Sequence, residues 1–209
     1  MSKHNQRLSK ALSWVLRHHA VNLGLNINDE GYVLLDDLLK LDKFNTYTFN
    51  DIDEVVKNND KKRFSLKLDN DKWYIRANQG HSIKVGSKIN QKLLLKKLNN
   101  PLPLAVHGTT KNAFEIIKKS GLKKMNRTHI HFACNDNLVE GNTNQSGIRA
   151  NCEILIYLDM KKAMSDGIEF FVSDNQVILS PGLGKEGFID KKYFDKVIDK
   201  KTAAIINLN

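Results

Sequence analysis

Residues 64–75, FSLKLDNDKWYI, decide the fold of the first part of the chain. Apolar residues alternate with polar ones on both sides of the short polar segment 69–71; they are Phe64, Leu66, Leu68, Trp73 and Ile75. Such alternation is typical of half-buried β-strands, and the Asp and Asn residues between them favour a turn. The stretch therefore predicts a β-hairpin.

On the N-terminal side of the hairpin, the sequence predicts three helices and a short strand. The first helix follows from apolar residues at helical spacing, namely Leu8, Ala11, Leu12, Val15, Leu16 and His19. Residues 31–33 predict the strand, residues 34–41 the second helix, and residues 49–59 a third helix with Asn50 as a possible cap. Short helices followed by a hairpin predict a winged-helix-like lobe over residues 1–85.

A helical projection of the first helix separates three neighbouring polar residues. At about 100° per residue, His19 falls in the middle of the apolar face, which predicts a hydrogen-bonded core histidine. His18 falls at the border of that face, and Arg17 points nearly opposite, away from the core of the lobe. For Arg17 an ordinary solvated side chain and a functional role are equally compatible with the pattern.

The remainder of the chain has a different pattern. Residues 86–103 are predicted as a linker with one lysine-rich helix, 92–98, and the breakers Pro101 and Pro103. A buried strand, 104–106, enters a predicted turn, and a helix with Ala113, Ile116 and Ile117 on its apolar face ends at Gly121. Further strands are predicted at residues 128–133, 152–158, 168–172 and 176–179. The prediction is an α+β fold whose second lobe, 104–209, holds a mixed or antiparallel sheet.

The composition favours a phosphate-bearing partner. The formal charge of +10 makes a nucleic acid or nucleotide plausible, although Lys92, Lys96 and Lys97 fit an ordinary solvated surface. No apolar run approaches the roughly 18 residues that span a bilayer. The polar start predicts no signal peptide, and Cys134 and Cys152 form no CxxC pair, so we expect an intracellular protein, cytoplasmic or nuclear.

Two sets of residues could carry chemistry. In the first lobe, Arg17, Arg63 and Arg76 could grip a phosphate, because guanidinium groups bind its oxygens bidentately; a basic turn and a polar loop remain the alternative. In the second lobe, Gly108 could let a ligand approach the backbone, while His107 and Thr109 supply hydrogen bonds. An ordinary strand-to-helix turn explains residues 107–109 as well.

Residues 127–132, RTHIHF, alternate strictly. Arg127, His129 and His131 share one face of the predicted strand, while Ile130 and Phe132 face the core. An HxH pair can bind zinc, but no third ligand stands at a convincing spacing, so we expect no metal. A two-histidine phosphoesterase would need a second HxT or HxS, and residues 129–131 lack the hydroxyl. The polar loops 146–149 and 173–175 are compatible with simple turns.

Taken in order, segments along nearly the whole chain resemble the tRNA 2′-phosphotransferase family. The matching segments are 12–18 (LSWVLRH), 29–33 (DEGYV), 62–64 (KRF), 76–82 (RANQGHS), 107–109 (HGT), 121–122 (GL), 125–131 (MNRTHIH), 146–149 (SGIR), 166–168 (DGI) and 171–175 (FVSDN). No fragment is decisive alone, but the ordered set is highly specific.

The resemblance implies an RNA-binding winged-helix lobe joined to an ADP-ribosyltransferase lobe that binds NAD⁺. It implies that the internal 2′-phosphate of RNA, with spliced tRNA as the expected substrate, is transferred to NAD⁺, giving 2′-hydroxyl RNA, nicotinamide and ADP-ribose 1″,2″-cyclic phosphate. The implied catalytic residues are Arg17, His18, Arg63 and Arg127. The implied NAD⁺ contacts are His107, Gly108, Thr109, His131, Ser146, Gly147, Arg149 and Ser173. The expected RNA-phosphate contacts are Arg76, Gln79 and His81.

Two other functional classes stay open on the sequence. A non-catalytic nucleic-acid-binding protein would not be stabilised by NAD⁺, and an ADP-ribosyltransferase could modify a protein or a terminal phosphate. Residues 176–179, QVIL, hold no carboxylate, whereas many ADP-ribosyltransferases carry a Glu in the last strand of the site. A carboxylate would repel an incoming phosphate, so its absence favours a phosphate acceptor. We expect no membrane association and no obligate protein partner.

Overall fold

The computed structural model describes residues 2–134, 146–149 and 151–208. The chain forms two compact units, Met1–Leu95 and Lys96–Asn209. The boundary between them lies inside the segment 86–103 that the sequence predicts as the linker. In the described residues, no helix has the length and apolar character needed to cross a membrane.

The first unit combines helices with a small antiparallel sheet. Its helices are α1 (Lys3–Trp14), a π-helical turn (Val15–His19), α2 (Leu35–Leu39), α3 (Phe49–Lys57), α4 (Ile83–Gly86) and α5 (Gln91–Leu94). Its strands are β1 (Val33–Leu34), β2 (Phe64–Asp69) and β3 (Lys72–Ala77), in the order β1-β3-β2. The core joins side chains from α1, α2, α3 and the sheet, among them Leu12, Leu38, Ile52 and Ile75.

The predicted hairpin is confirmed. Strand β2 pairs with β3 from Phe64 opposite Ala77 to Asp69 opposite Lys72. Asn70 and Asp71 both have positive φ, 48° and 58°. Two consecutive residues of this kind form the turn whose twist matches that of the strands it joins. The polar segment 69–71 therefore sets the register of the pair.

Three local predictions for the first unit were wrong. The cap of α3 is Thr48, not Asn50, because the Thr48 hydroxyl accepts from the Asp51 N–H while the Asp51 carboxylate accepts from the Thr48 N–H. The short strand begins only at Val33, because Gly31 has φ +83° and belongs to a turn. The first regular helix ends at Trp14, five residues before His19.

The second unit is built on a seven-stranded sheet. Its strands are β4 (Lys96–Lys97), β5 (Val106–Thr109), β7 (Ile130–Ala133), β8 (Ile154–Leu158), β9 (Phe171–Val172), β10 (Val177–Ser180) and β12 (Phe194–Asp199), in the order β12-β8-β5-β7-β10-β9-β4. The short strands β6 (Leu122–Lys123) and β11 (Phe188–Ile189) form a separate pair. The helices are α6 (Lys111–Ser120), α7 (Met160–Ser165) and a 3₁₀ turn (Lys191–Tyr193). Every pairing among the described strands is antiparallel, one of the two sheet types that the sequence left open.

The structure corrects three further predictions in the second half. Residues 107–109 lie within β5 rather than in a turn after it. The lysine-rich helix 92–98 is replaced by α5 and by β4, whose residues pair with β9. In α6 the buried residue is Phe114; of the residues predicted on the apolar face, Ile117 packs against the core, whereas Ile116 is 68% exposed. Gly121 does end α6, with φ +72°.

Candidate functional site

A cavity of about 450 Å³ opens in the second unit beside β5, β7 and α6. Its lining includes most of the polar side chains that the sequence singles out in this unit, namely His107, Thr109, Arg127, His129, His131 and Arg149. Apolar residues of α6, including Ile116, complete another part of the wall. The cavity therefore offers both hydrogen-bonding groups and an apolar surface, as ligand sites commonly do.

His107 is held in one tautomer. Its Nδ1 lies 2.9 Å from the backbone oxygen of His131, and because a carbonyl only accepts, Nδ1 carries the proton. Burial lowers the pKa of His107, the cations Arg149 and Arg127 lower it further, and the bond to His131 acts in the opposite sense. The ring is therefore neutral at pH 7, and Nε2 can accept a hydrogen bond from a ligand.

Gly108 lets two side chains pack closely against β5. A Cβ at this position would lie 2.7 Å from the Ile148 side chain and 3.1 Å from that of Cys152. Both contacts are closer than side chains tolerate, so glycine lets residues 148 and 152 pack against β5. Gly108 also lines the cavity, so its role in letting a ligand approach the backbone stays a prediction.

The alternation over residues 127–132 is confirmed. Ile130 and Phe132 are buried in the hydrophobic core, while Arg127, His129 and His131 line the cavity. Burial, aided by the positive charge of Lys124, lowers the pKa of His129 to about 4. The His129 ring is therefore neutral at physiological pH. Its Nδ1 lies 2.9 Å from the Thr128 hydroxyl.

Two arginines, Arg127 and Arg149, line the cavity together with Lys123 and Lys124. Burial lowers the pKa of Arg127, and the positive charge of Arg149 lowers it further, which shows that the two guanidinium groups feel one another. None of the ion pairs found among residues 2–134, 146–149 and 151–208 involves either of them. This arrangement suits an anionic ligand, whose charge would offset the repulsion.

The remaining residues predicted to contact NAD⁺ differ in whether they line the cavity. Gly147 lines the cavity and has φ +89°, and a Cβ there would lie 2.8 Å from the Phe132 carbonyl oxygen. Ser146 precedes it and is half-buried. Ser173 is 2% exposed and closes a turn, donating to Asn175 Oδ1 at 2.8 Å and accepting from the Val177 N–H at 3.2 Å. Its predicted ligand contact has no support in this geometry.

In the first unit, Arg17 and His18 lie in the π-helical turn. The Ala20 N–H donates to the Val15 carbonyl at 2.8 Å, a bond across five residues. The wider turn moves the following side chains away from their α-helical positions. His19 is consequently half-buried and stacks on Trp14 with ring centroids 3.9 Å apart, so its prediction as a core histidine was wrong. The ring of His18 meets that of His19 edge-on at 6.5 Å.

Arg17 is half-buried rather than pointing away from its unit. Its Nε and Nη2 atoms are buried, and a Cβ placed on Gly80 would lie 3.4 Å from the guanidinium carbon. The Ser82 N–H donates to the Arg17 backbone oxygen at 2.9 Å. The segment 80–82 thus contacts Arg17 at both its backbone and its guanidinium end.

Arg63 stands at the start of β2 and is also half-buried. Its Nη1 donates to Asn59 Oδ1 at 3.0 Å. Burial lowers the pKa of Arg63, while the negative charge of Asp60 acts in the opposite sense. Asn78 fixes the backbone beside it, because its Nδ2 donates to the Lys62 oxygen at 2.8 Å and its N–H donates to the Arg63 oxygen at 2.9 Å.

The side chains predicted to contact RNA phosphate are inside the first unit. Arg76, Gln79 and His81 are 8%, 8% and 1% exposed. Arg76 donates to the Glu30 backbone oxygen at 3.1 Å and lies over the Tyr32 ring, 4.7 Å from its centroid. Its contacts stabilise the turn at residues 29–31, and the burial of all three residues argues against direct contact with RNA.

Sequence reasoning missed the residues that hold this arrangement. Asn59 and Asn78 are buried amides, and Gly80 has φ +87°. Isolated Asn and Gly residues in a polar loop are common, so only their tertiary contacts distinguish them. The exposed Ile116 and Met125 in the cavity wall were missed for the same reason.

No group of three His, Cys, Asp or Glu side chains suited to a metal ion occurs within the described ranges.

The model of the RNA 2′-phosphotransferase, Tpt1 / KptA family matches residues 3–182. The chain is 41% identical over 192 residues to tRNA 2′-phosphotransferase 1 of Danio rerio, covering 91% of this chain and 84% of that protein. It is 42% identical over 197 residues to tRNA 2′-phosphotransferase 1 of Homo sapiens, covering 92% and 75%. A Schizosaccharomyces pombe relative is 44% identical over 191 residues, and the chain spans 50% of its length.

Proposed function

The chain belongs to the RNA 2′-phosphotransferase, Tpt1 / KptA family, and we propose that it removes an internal 2′-phosphate from RNA with NAD⁺ as co-substrate. The names of the Danio rerio and Homo sapiens relatives support tRNA as the substrate class. The single observation that carries the NAD⁺ part of the proposal is the cavity in which a neutral His107 stands with the cations Arg127 and Arg149.

The cavity residues fit a dinucleotide. Arg127 and Arg149 offer positive charge to a diphosphate, and His107 Nε2 and the Thr109 hydroxyl offer hydrogen bonds to ribose hydroxyls. The apolar wall near Ile116 suits a base. NAD⁺ supplies an electrophilic ribose carbon, C1″, from which nicotinamide departs as a neutral molecule, and the phosphate ends in ADP-ribose 1″,2″-cyclic phosphate.

We assign the two units the folds that the resemblance implies. Helices α1 to α3 with the hairpin β2–β3 support a winged-helix RNA lobe for the first unit. The antiparallel seven-stranded sheet with the cavity beside β5 and β7 supports an ADP-ribosyltransferase-like lobe for the second.

The proposed chemistry is mostly the handling of charge. The attacking group is already an anionic phosphate, and nicotinamide is a good leaving group, so the first step needs no strong acid or base. We assign Arg17 and Arg63 to the phosphate of the RNA and Arg127 to the diphosphate of NAD⁺. Their positive charge stabilises the charge that develops in the second step, when the 2″-hydroxyl attacks phosphorus. His18 protonates the departing 2′-oxygen of the RNA or takes the proton of that hydroxyl, which an imidazole can do near neutral pH.

The test is incubation of the purified chain with NAD⁺ and a short RNA that bears one internal 2′-phosphate. We expect 2′-hydroxyl RNA, nicotinamide and the cyclic phosphate product in equal amounts, with no loss of rate in EDTA. Arg17→Ala and Arg127→Ala should slow the reaction by about 10²-fold or more. Arg7→Ala, an exposed arginine on α1, is the matched control for Arg17 and should retain it. Phosphate release without NAD⁺ would contradict the proposal and favour a phosphoesterase.

A second measurement separates a transferase from a nucleic-acid-binding protein without catalysis. A ligand that binds the folded state raises its unfolding temperature, so NAD⁺ should stabilise the chain, by about 2.7 kcal/mol at a concentration 100 times its Kd. His107→Ala should reduce that stabilisation. A chain that binds RNA but is not stabilised by NAD⁺ would be a binding protein.

A further inference from the structure

Asn59 is a buried polar residue that no part of the proposed reaction uses. It lies just beyond α3 and is 2% exposed. Its Nδ2 donates to the Ser9 hydroxyl of α1 at 3.2 Å, and its Oδ1 accepts from the Lys61 N–H at 3.2 Å and from Arg63 Nη1 at 3.0 Å. One donor and two acceptor contacts fix the orientation of the amide.

The hydrogen bond to Asn59 does not neutralise the positive charge of Arg63. The side-chain hydrogen bond of this guanidinium goes to a neutral amide oxygen, and none of the ion pairs found in the described ranges includes Arg63. The acid whose charge it feels is Asp60, which is itself exposed to solvent. Arg63 is therefore anchored at one nitrogen by a neutral group, while its half-buried positive charge forms none of the ion pairs found in the described ranges.

An aspartate could occupy the same position with almost the same contacts. A carboxylate would accept from the Lys61 N–H and from Arg63, and the Ser9 hydroxyl could rotate to donate to its second oxygen. The same geometry would then form a charge-assisted bond that competes with a phosphate for Arg63. Substitutions of Asn59 can thus test separately the position of the Arg63 guanidinium and the availability of its charge.

We propose that Asn59 is a positioning residue, which orients the Arg63 guanidinium towards the phosphate of the RNA substrate and, because it is uncharged, leaves the positive charge of Arg63 available to that phosphate. This inference rests on the proposed function of the chain. The proposal predicts that a negative charge at residue 59 would weaken RNA binding, and that loss of its side-chain anchor would slow the reaction.

The decisive variant is Asn59→Asp, with Asn58→Asp as its matched control. Asn58 is the neighbouring residue at the end of α3 and is exposed, so the control makes the same substitution and the same change in net charge away from Arg63. We expect Asn59→Asp to keep its unfolding temperature and to bind 2′-phosphorylated RNA about tenfold or more weakly, since charge-assisted bonds of this kind carry such differences. Asn58→Asp should bind within about twofold of the wild type.

Salt dependence distinguishes a lost charge from a distorted site. Neutralising one phosphate-binding cation reduces the slope of log K against log salt concentration by about 0.7 to 0.9. We expect this reduction in Asn59→Asp but not in Asn58→Asp. Asn59→Ala, which removes the anchor without adding charge, should lower kcat and leave the slope unchanged, and this variant tests positioning even if Asn59→Asp does not fold.

The outcomes separate the inference from the function on which it rests. Wild-type chain that fails to turn over 2′-phosphorylated RNA with NAD⁺ would refute the proposed function alone, because RNA binding is measured without turnover. Equal RNA affinity and equal salt slope in Asn59→Asp and Asn58→Asp would overturn the role of charge. Wild-type kcat in Asn59→Ala would overturn the role of position.

Discussion

Arg63 in the first unit and Arg127 in the second are both half-buried, and burial lowers the pKa of each, but their surroundings differ. Arg63 is anchored by a neutral amide and feels the opposite charge of Asp60, whereas Arg127 feels the like charge of Arg149. Arg63 is thus a cation oriented by a neutral partner, while Arg127 is one of several cations that line a cavity, together with Arg149, Lys123 and Lys124. The comparison indicates that the second unit depends more on a bound anion to offset its charge.

The largest expected effect tests whether the two arginines serve different ligands. Arg63→Ala and Arg127→Ala should each lower kcat/KM for 2′-phosphorylated RNA by about 10²- to 10³-fold, the typical cost of removing one donor to a developing charge. Only Arg127→Ala should also reduce thermal stabilisation by NAD⁺, because Arg127 lines the cavity. A loss of NAD⁺ stabilisation in Arg63→Ala would erase the distinction between the two sites.

The next effect concerns pH and belongs to the second unit. The pKa of His129 is about 4 when folded against an ordinary value near 6.5, so the unfolded chain takes up a proton first as the pH falls. With respect to His129, the free energy of unfolding is therefore highest above pH 6.5, and it decreases as the pH falls from 6.5 towards 4. That loss amounts to about 3 kcal/mol, because one pKa unit corresponds to about 1.4 kcal/mol. His129→Gln should flatten the pH dependence of the free energy of unfolding, measured by chemical denaturation between pH 4 and 6.5, relative to the wild type.

A pair of glycines in the first unit tests how tightly Arg17 is held. Gly80 and Gly24 have similar φ, +87° and +73°, but a Cβ on Gly80 would meet Arg17 at 3.4 Å and one on Gly24 would meet nothing within 4 Å. Gly80→Ala and Gly24→Ala should therefore lose comparable stability, about 1–2 kcal/mol. Only Gly80→Ala should lower kcat, by roughly tenfold, as small misplacements of catalytic groups can. Equal activity in the two variants would show that Arg17 tolerates displacement.

The smallest expected effect measures the repulsion in the cavity. Arg149→Gln should raise the unfolding temperature of the ligand-free chain by about 1–2 °C, because it removes a like charge near Arg127. The same variant should bind NAD⁺ more weakly. Lys119→Gln, at an exposed position on α6, should change neither property. A lower unfolding temperature in Arg149→Gln would mean that the two arginines do not oppose one another.

Strands with alternating apolar and polar residues were predicted well, because successive residues of a strand point to opposite faces of the sheet. The hairpin β2–β3 and the alternation that puts Ile130 and Phe132 in the core followed directly from the sequence. The helical projection failed at His19 because it assumes a constant rotation per residue, which the π-helical turn breaks. The burial of Arg76 could not be predicted, because it depends on Glu30 and Tyr32, far away in the chain.

The sequence by itself determined the α+β class, the hairpin, the end of α6 at Gly121 and, through an ordered set of motifs, the family. These features depend on local periodicity, on backbone preferences and on which residues occur in which order. Only the tertiary structure decided which polar residues face a cavity, which are buried as supports and which hold an arginine. Asn59 and Gly80 are the clearest cases, since their contacts with Arg63 and Arg17 arise from packing that no local pattern encodes.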